Sequence, residues 1–399
     1  MAGYLFSLDD INSLKPCVKD GVYSTNLSSP EKNKDGLYKW KAHHEGTFTD
    51  YFSMKEGDNI YFFKDRNIYG VGELVNIKKL DCKFSNYPNA LNPNIPKFSD
   101  IKSSILISKN KDTSIKNRCL CTFKPSPNFF TRGVDMDYIL SSNTNEFRSL
   151  RSFWSLSFIK LDDKENKALK DIIIKENEEF ITLDYTDSTN FEYIMEFDNT
   201  FHKTIESKID SQYLINSVDL LESCVENEIA ISHEMAIEAH IIDTLSKTKD
   251  SIFGSWDYID HQVSASPFKP VGYMDKMDIF GYRNIPNYDI ISKYLLIEIK
   301  KDTTKIKNTK KKFEDPIAQA MKYVDWINHH YANGDYDMIE AFFVAHHIPQ
   351  EMIDYKNEIC TRTYIKGRRP VVTGTWNNLR LIEYKYNSET KKLDFIEVG

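Results

Sequence analysis

No run of about 18 uninterrupted apolar residues occurs in this chain, so a membrane-spanning helix is excluded. The first residues, MAGYLFSLDDINSLK, lack the basic start and long apolar run of a signal peptide. Together these absences make the cytoplasm the expected compartment. The six cysteines, Cys17, Cys82, Cys119, Cys121, Cys224 and Cys360, include no CxxC pair. A zinc ribbon or a thioredoxin-type site is therefore not expected, and reduced, structural thiols are. An excess of positive charge is also missing: 59 acidic residues face 52 basic ones, a formal net charge of −7. Such a chain gains no long-range attraction to nucleic acid, and any binding must come from a local basic patch. There is no internal repeat and no low-complexity tail.

Aromatic and apolar residues are plentiful. The 24 Phe and 23 Tyr exclude a mainly disordered chain. With 399 residues there is room for two or three domains. The first half reads as β-rich: a turn at Gly57-Asp58, a strand over Ile60–Phe63 and another over 67–77. Residues 162–175 read as a helix capped by Asp162 or Asp163. The second half changes character. It reads as helical over 217–247, with strands over 271–282 and 293–300, a helix from Pro316 to about Tyr331, and five further strands between 338 and 397. The fold class is α/β (α+β), with a domain over 1–190 and a second over 210–399 built on a mixed sheet flanked by helices.

Chemistry concentrates in the second half. Side chains alternate faces along a strand, so Glu298 and Lys300 share one face and Ile297 and Ile299 the other. If the preceding strand pairs with this one, Asp278 comes beside Glu298. Two carboxylates on neighbouring strands suit a hard cation such as Mg²⁺, and the Ile299 carbonyl could add a ligand. Lys300 could orient or help deprotonate a water, or offset charge developing on a phosphate oxygen. Asp-then-Glu-x-Lys on strands is a common pattern, but here it lies in the apolar run Tyr294–Ile299, where charged groups are costly unless paired or binding something. On the helix drawn over 231–245, Glu238 falls within an apolar stripe; a rotated helix would instead leave it solvated. Gln319 and Tyr323, four apart, share a helix face. Asp275 competes with Asp278 for the metal role. The segment 300–312, KKDTTKIKNTKKK, carries seven lysines and one aspartate; it is either a solvated loop or a phosphate-contacting one using Lys301, Lys305, Lys307, Lys310, Lys311 and Lys312. Lys366-Gly-Arg368-Arg369 is a second basic cluster.

Asp278, then Glu298-Ile-Lys300, then Gln319-x-x-x-Tyr323, with Glu238 on an earlier helix, resembles the PD-(D/E)XK nuclease superfamily. The QxxxY element is similar to that of its RecB-like and NucS-like members. The resemblance covers roughly 217–345 and departs in lacking a Pro-Asp pair before the catalytic strand. It implies a restriction-endonuclease-like sheet and Mg²⁺- or Mn²⁺-dependent DNA cleavage. Asp278 and Glu298 would bind metal, Lys300 would assist the attacking water, Glu238 would order a second water or ion, and Gln319 and Tyr323 would orient the site. In the first half, Met54 to Leu74 is similar to the core hairpin of PUA-like, including EVE-type, domains. Trp40, Phe52, Phe153 and Trp154 are then either barrel core or base-binding aromatics. The whole layout resembles that of the Shedu anti-phage nucleases. The expected function is thus a metal-dependent DNA endonuclease in bacterial anti-phage defence, a homo-oligomer (dimer or tetramer) answering a phage-derived trigger. The alternatives are a NucS-like DNA-repair nuclease and a non-catalytic nucleic-acid-binding protein on the same scaffold.

Overall fold

A computed structural model describes residues 1–26, 30–85, 118–152, 158–182, 193–227, 229–266, 275–301 and 316–399. The architecture is mixed α and β, as expected. The chain forms two compact units: Met1–Trp40 with Met54–Ile215, and Lys41–Ser53 with Asn216–Gly399. A simple split near residue 200 does not capture this, because a short early segment belongs to the second unit.

The first unit is built on a seven-stranded sheet. Its path runs Val22–Asn26, Arg118–Asp135, Asn67–Leu74, Asn59–Lys64, Gly3–Ser7, Phe158–Leu161, and Lys83–Ser85 pairs off the path with Arg118–Asp135. The expected hairpin is present, and it turns through Asp65 and Arg66 at φ +48° and +64°. Two successive left-handed residues match the twist of the flanking strands. The helix Asp163–Glu176 begins where expected, with the Asp162 side chain accepting the Lys164 and Glu165 N–H groups. Phe6, Tyr23, Phe62, Phe123, Phe129 and Phe158 interlock in the core. Trp40 is buried here, and Phe52 is buried in the second unit. Both are core residues and not exposed base-stacking aromatics; Phe153 and Trp154 lie outside the described residues.

The second unit carries the chemistry. Its elements are α1 (Ala42–Ser53), α2 (Ser217–Cys224), α3 (Glu234–Lys247), β1 (Tyr258–Ser264), β2 (Lys276–Asn284), β3 (Ile291–Lys300), α4 (Pro316–His330), β4 (Ile339–Ala345), α5 (Gln350–Ile359), β5 (Leu379–Asn387) and β6 (Lys392–Val398). The six strands lie in chain order in one sheet. β1, β2 and β3 are antiparallel, β3, β4 and β5 parallel, and β6 antiparallel to β5. A separate hairpin pairs Arg362–Arg368 with Val371–Trp376. In β3, Leu295, Leu296, Ile297 and Ile299 are fully buried. Burial of each contributes about 1.5–3 kcal/mol, enough together to tolerate a charged group in the same strand.

Three differences from the sequence reading matter. The helix drawn over 217–247 is two helices, separated by a turn in which Val225 pairs with Ile231 and Glu226 with Ala230. The first helix stops at Cys224 because Val225 turns extended, and Asn227 sits at φ +49°, a left-handed position in the turn that follows. β1 was not drawn at all, although it is the edge strand beside β2. Finally, α1 packs on α3, where Gly46 makes close approach possible: a Cβ there would lie 2.8 Å from the Met235 methyl.

Candidate metal-dependent active site

The β2–β3 ladder runs from Asn284 and Ile291 to Ile279 and Ile297. Asp278 is the next residue of β2, and its Oδ2 accepts the Ile299 N–H at 2.7 Å. Glu298 follows Ile297 on β3 with no exposed surface. Its Oε1 accepts a hydrogen bond from Lys300 Nζ at 2.6 Å, so the two share a face as strand alternation requires. Glu298 Oε2 is buried and has no hydrogen-bond partner. Asp275 is instead engaged by Lys322 Nζ at 2.6 Å, which leaves Asp278 as the aspartate at the centre.

Glu238 of α3 faces inward, almost wholly buried, so the solvated alternative does not hold. Its Oε1 is 2.9 Å from His261 Nδ1, and its Oε2 accepts from Gln262 Nε2 at 3.1 Å. The same Gln262 nitrogen reaches Asp278 Oδ1 at 3.3 Å. His261 Nε2 in turn lies 2.6 Å from Asp50 Oδ1 of α1. A hydrogen-bonded row thus leads from Asp50 through His261, Glu238 and Gln262 to Asp278. Adjacent strand residues normally point to opposite faces, yet His261 and Gln262 both reach Glu238. Gln262 takes φ +53°, a left-handed kink of the kind that tends to occur at functional sites.

Burial, and then neighbouring charges, sets the electrostatics. Burial, then Glu298 and Glu238, hold the Asp278 carboxyl well above the usual range, with Lys300 opposing. Burial likewise pushes Glu298 up to about 7 although Lys300 counteracts it. Burial also raises Glu238, against the pull of His261. For Lys300, burial disfavours the ammonium, but Glu298 and Asp278 outweigh it and keep the amine charged. For His261, burial is outweighed by Asp50 and Glu238, which hold the ring protonated well above its ordinary range. Tyr323 accepts a hydrogen bond from Gln319 Nε2 at 3.0 Å. Burial and the nearby charges of Glu298, Asp275 and Asp278 push its phenol up to about 12.

The structure therefore gathers Asp278, Glu298, Lys300 and Glu238, and Tyr323 with Gln319 feels the same charges. The Ile299 N–H is taken by Asp278. Lys301 points elsewhere: its N–H donates to Glu234 and its Nζ pairs with Glu226 at 3.4 Å. Lys305, Lys307, Lys310, Lys311 and Lys312 lie outside the described residues. Lys366 pairs with Asp337. Sequence reading missed Asp50, His261 and Gln262; a period-2 reading of Tyr258–Ser264 would have exposed the strand, though not its kink.

Asp278 and Glu298 could hold a divalent cation. Asp278 and Glu298 face one lysine, both are pushed towards neutrality by burial first and then by neighbouring carboxylates, and one buried oxygen has no donor. A hard, oxygen-seeking ion answers all three features. In comparisons with known proteins, no family model, no curated protein and no solved structure matches this chain.

Proposed function

We propose that the second unit is a metal-dependent nuclease that hydrolyses phosphodiester bonds of DNA. The observation that carries this reading is the bare, buried Glu298 Oε2 beside Asp278 and the Lys300 ammonium. The order and spacing of these residues, similar to PD-(D/E)XK nucleases, point the same way. Asp278 and Glu298, with the Ile299 carbonyl, would hold Mg²⁺ or Mn²⁺. Such an ion, when bound, polarises the phosphodiester and acidifies the attacking water.

The chain's own residues do the rest. Lys300 is a charged donor in this arrangement, so it stabilises charge developing on a phosphate oxygen and does not act as the base. Gln262 fixes the Asp278 and Glu238 carboxylates relative to each other. Glu238 offers an acceptor that orders water. Tyr323, held by Gln319, stays a neutral phenol and can donate to the phosphate backbone. The lysines of 305–312 supply sequence-independent, salt-sensitive affinity that the net charge of −7 does not. In this reading the first unit senses, the protein works in the bacterial cytoplasm against phage, and it assembles as a homo-oligomer because one site cuts one strand.

Cleavage of supercoiled, linear and single-stranded DNA with Mg²⁺ or Mn²⁺ tests this. Wild type should cut only with metal, and Glu298→Ala and Lys300→Ala should each lose about 100-fold or more while still binding DNA. Cutting that both variants retain would refute the site. The preferred DNA form separates defence from repair of branched or mismatched DNA.

A further inference from the structure

A second cluster of the same unit shares no residue with the carboxylates described above and uses different chemistry. α2 ends at Cys224, and α3 is preceded by its N-cap residue His233. The turn between them folds back on itself, with the Ser232 N–H donating to the Cys224 carbonyl at 2.7 Å. This brings the two side chains together against Glu45 of α1. Glu45 Oε1 lies 3.3 Å from Cys224 Sγ and 2.6 Å from His233 Nδ1. The three ligand atoms all fall within 4.8 Å of one another.

A purely hydrogen-bonded trio explains this poorly. Thiol and imidazole would both donate to one carboxylate oxygen, while Glu45 Oε2 has no partner and Glu45 itself has no exposed surface. Leaving a buried carboxylate oxygen unsatisfied costs roughly 1–3 kcal/mol or more. A sulfur, a nitrogen and a carboxylate do not suit Mg²⁺ or Ca²⁺, which take oxygen ligands. They do suit zinc, which accepts all three. Charge agrees as well: one thiolate and one carboxylate neutralise a divalent ion, and the imidazole adds none. A neutral centre is what a buried site tolerates. His233 keeps a third of its side chain exposed, which gives an entry path.

We propose that Glu45, Cys224 and His233 form a structural zinc site that fastens α1 to the turn between α2 and α3, with Glu45 Oε2 available to complete the coordination. Without metal, burial first and then Glu45 keep the Cys224 thiol protonated. Zinc binding forms the Zn–S bond and releases the thiol proton to solvent, while the ring proton that donates to Glu45 moves to Nε2 so that the neutral imidazole can ligate through Nδ1. The consequence is mechanical. Asp50, one to two turns beyond Glu45 on α1, holds His261, so zinc would anchor the helix that ends the row leading to Asp278.

The test uses the purified full-length chain stripped with a chelator and titrated with Co²⁺, then with Zn²⁺. One equivalent of Co²⁺ should give a thiolate-to-metal charge-transfer band that Zn²⁺ abolishes, and Zn²⁺ should raise the unfolding temperature. Cys224→Ser should lose the band, and His233→Gln should weaken Zn²⁺ binding about 100-fold. Asp278→Asn should leave both signals intact, which separates this site from the nuclease reading. Circular dichroism of each variant confirms that it folds. The other five cysteines are buried, so a band that survives Cys224→Ser would assign the metal elsewhere and overturn the proposal. Absence of any band together with an unmoved unfolding temperature would overturn it too.

Discussion

Glu298→Gln should abolish cleavage and yet stabilise the metal-free protein at pH 8. The reasoning starts from a carboxyl whose value in the fold is about 7 against an ordinary 4.5. Between those values the folded state binds more protons than the unfolded chain. The contribution to stability is therefore fully present below 4.5 and is lost as the pH rises through 7. Converted at 1.36 kcal/mol per pH unit, the ionised form is disfavoured by about 3 kcal/mol at pH 8. Glu298 has no exposed surface, so solvent screening does not discount the figure. The attraction of Lys300 is already included in it, so a neutral isostere should recover nearly the whole amount. At roughly 2–4 °C per kcal/mol, the variant should melt about 6–12 °C above wild type in EDTA at pH 8. The difference should shrink towards zero near pH 5. Saturating Mg²⁺ closes most of the gap: at 100 times its Kd an ion adds about 2.7 kcal/mol to wild type and little to the variant. Thermal unfolding at pH 5 and 8, with and without Mg²⁺, reads all four values. A variant less stable than wild type in EDTA at pH 8, or a difference that ignores pH, would refute the idea that the cost of burying the Glu298 carboxylate is relieved by a cation.

Two further expectations follow from the row of hydrogen bonds. Gln262→Ala frees the Asp278 and Glu238 carboxylates from their shared donor, and should lower metal-dependent cleavage about 10–100-fold with little change in DNA affinity, read by single-turnover cleavage beside a binding isotherm. His261→Asn removes a buried cation held between Asp50 and Glu238 and should destabilise the second unit by about 3–5 kcal/mol below pH 6.5, a loss that urea unfolding measures and that narrows only as pH climbs through the raised value of the ring.

How much of this site could be read from the sequence depends on what each pairing needs. Asp278, Glu298 and Lys300 belong to one hairpin, where alternation and adjacency together place side chains. Gln319 and Tyr323 are four apart on one helix, the other case in which local geometry suffices. An apolar stripe offered an inward Glu238 beside the solvated alternative, although the helix carrying it begins at Glu234, later than drawn. The break went unread because Val225, Ile229 and Ile231 continue the apolar spacing although the backbone turns extended at Val225 and left-handed at Asn227.

Asp50 and Glu45 could not be placed this way. They lie more than 170 residues from the groups they touch, on a short helix embedded in the half of the sequence that builds the other unit. No period links them to β1 or to Cys224. Gln262 fails for a different reason. Its strand is legible, but alternation assigns it the face opposite His261, and only the positive φ brings both to Glu238. A residue that departs from the local rule at the point where two carboxylates need a common donor is where strain is expected to serve a function. Gln262→Gly would therefore separate backbone from side chain. It removes the amide while easing the left-handed conformation, so stability should hold or rise as cleavage falls. Should stability fall with cleavage, the kink owes its place to packing, and the amide's role at Asp278 would have to be given up.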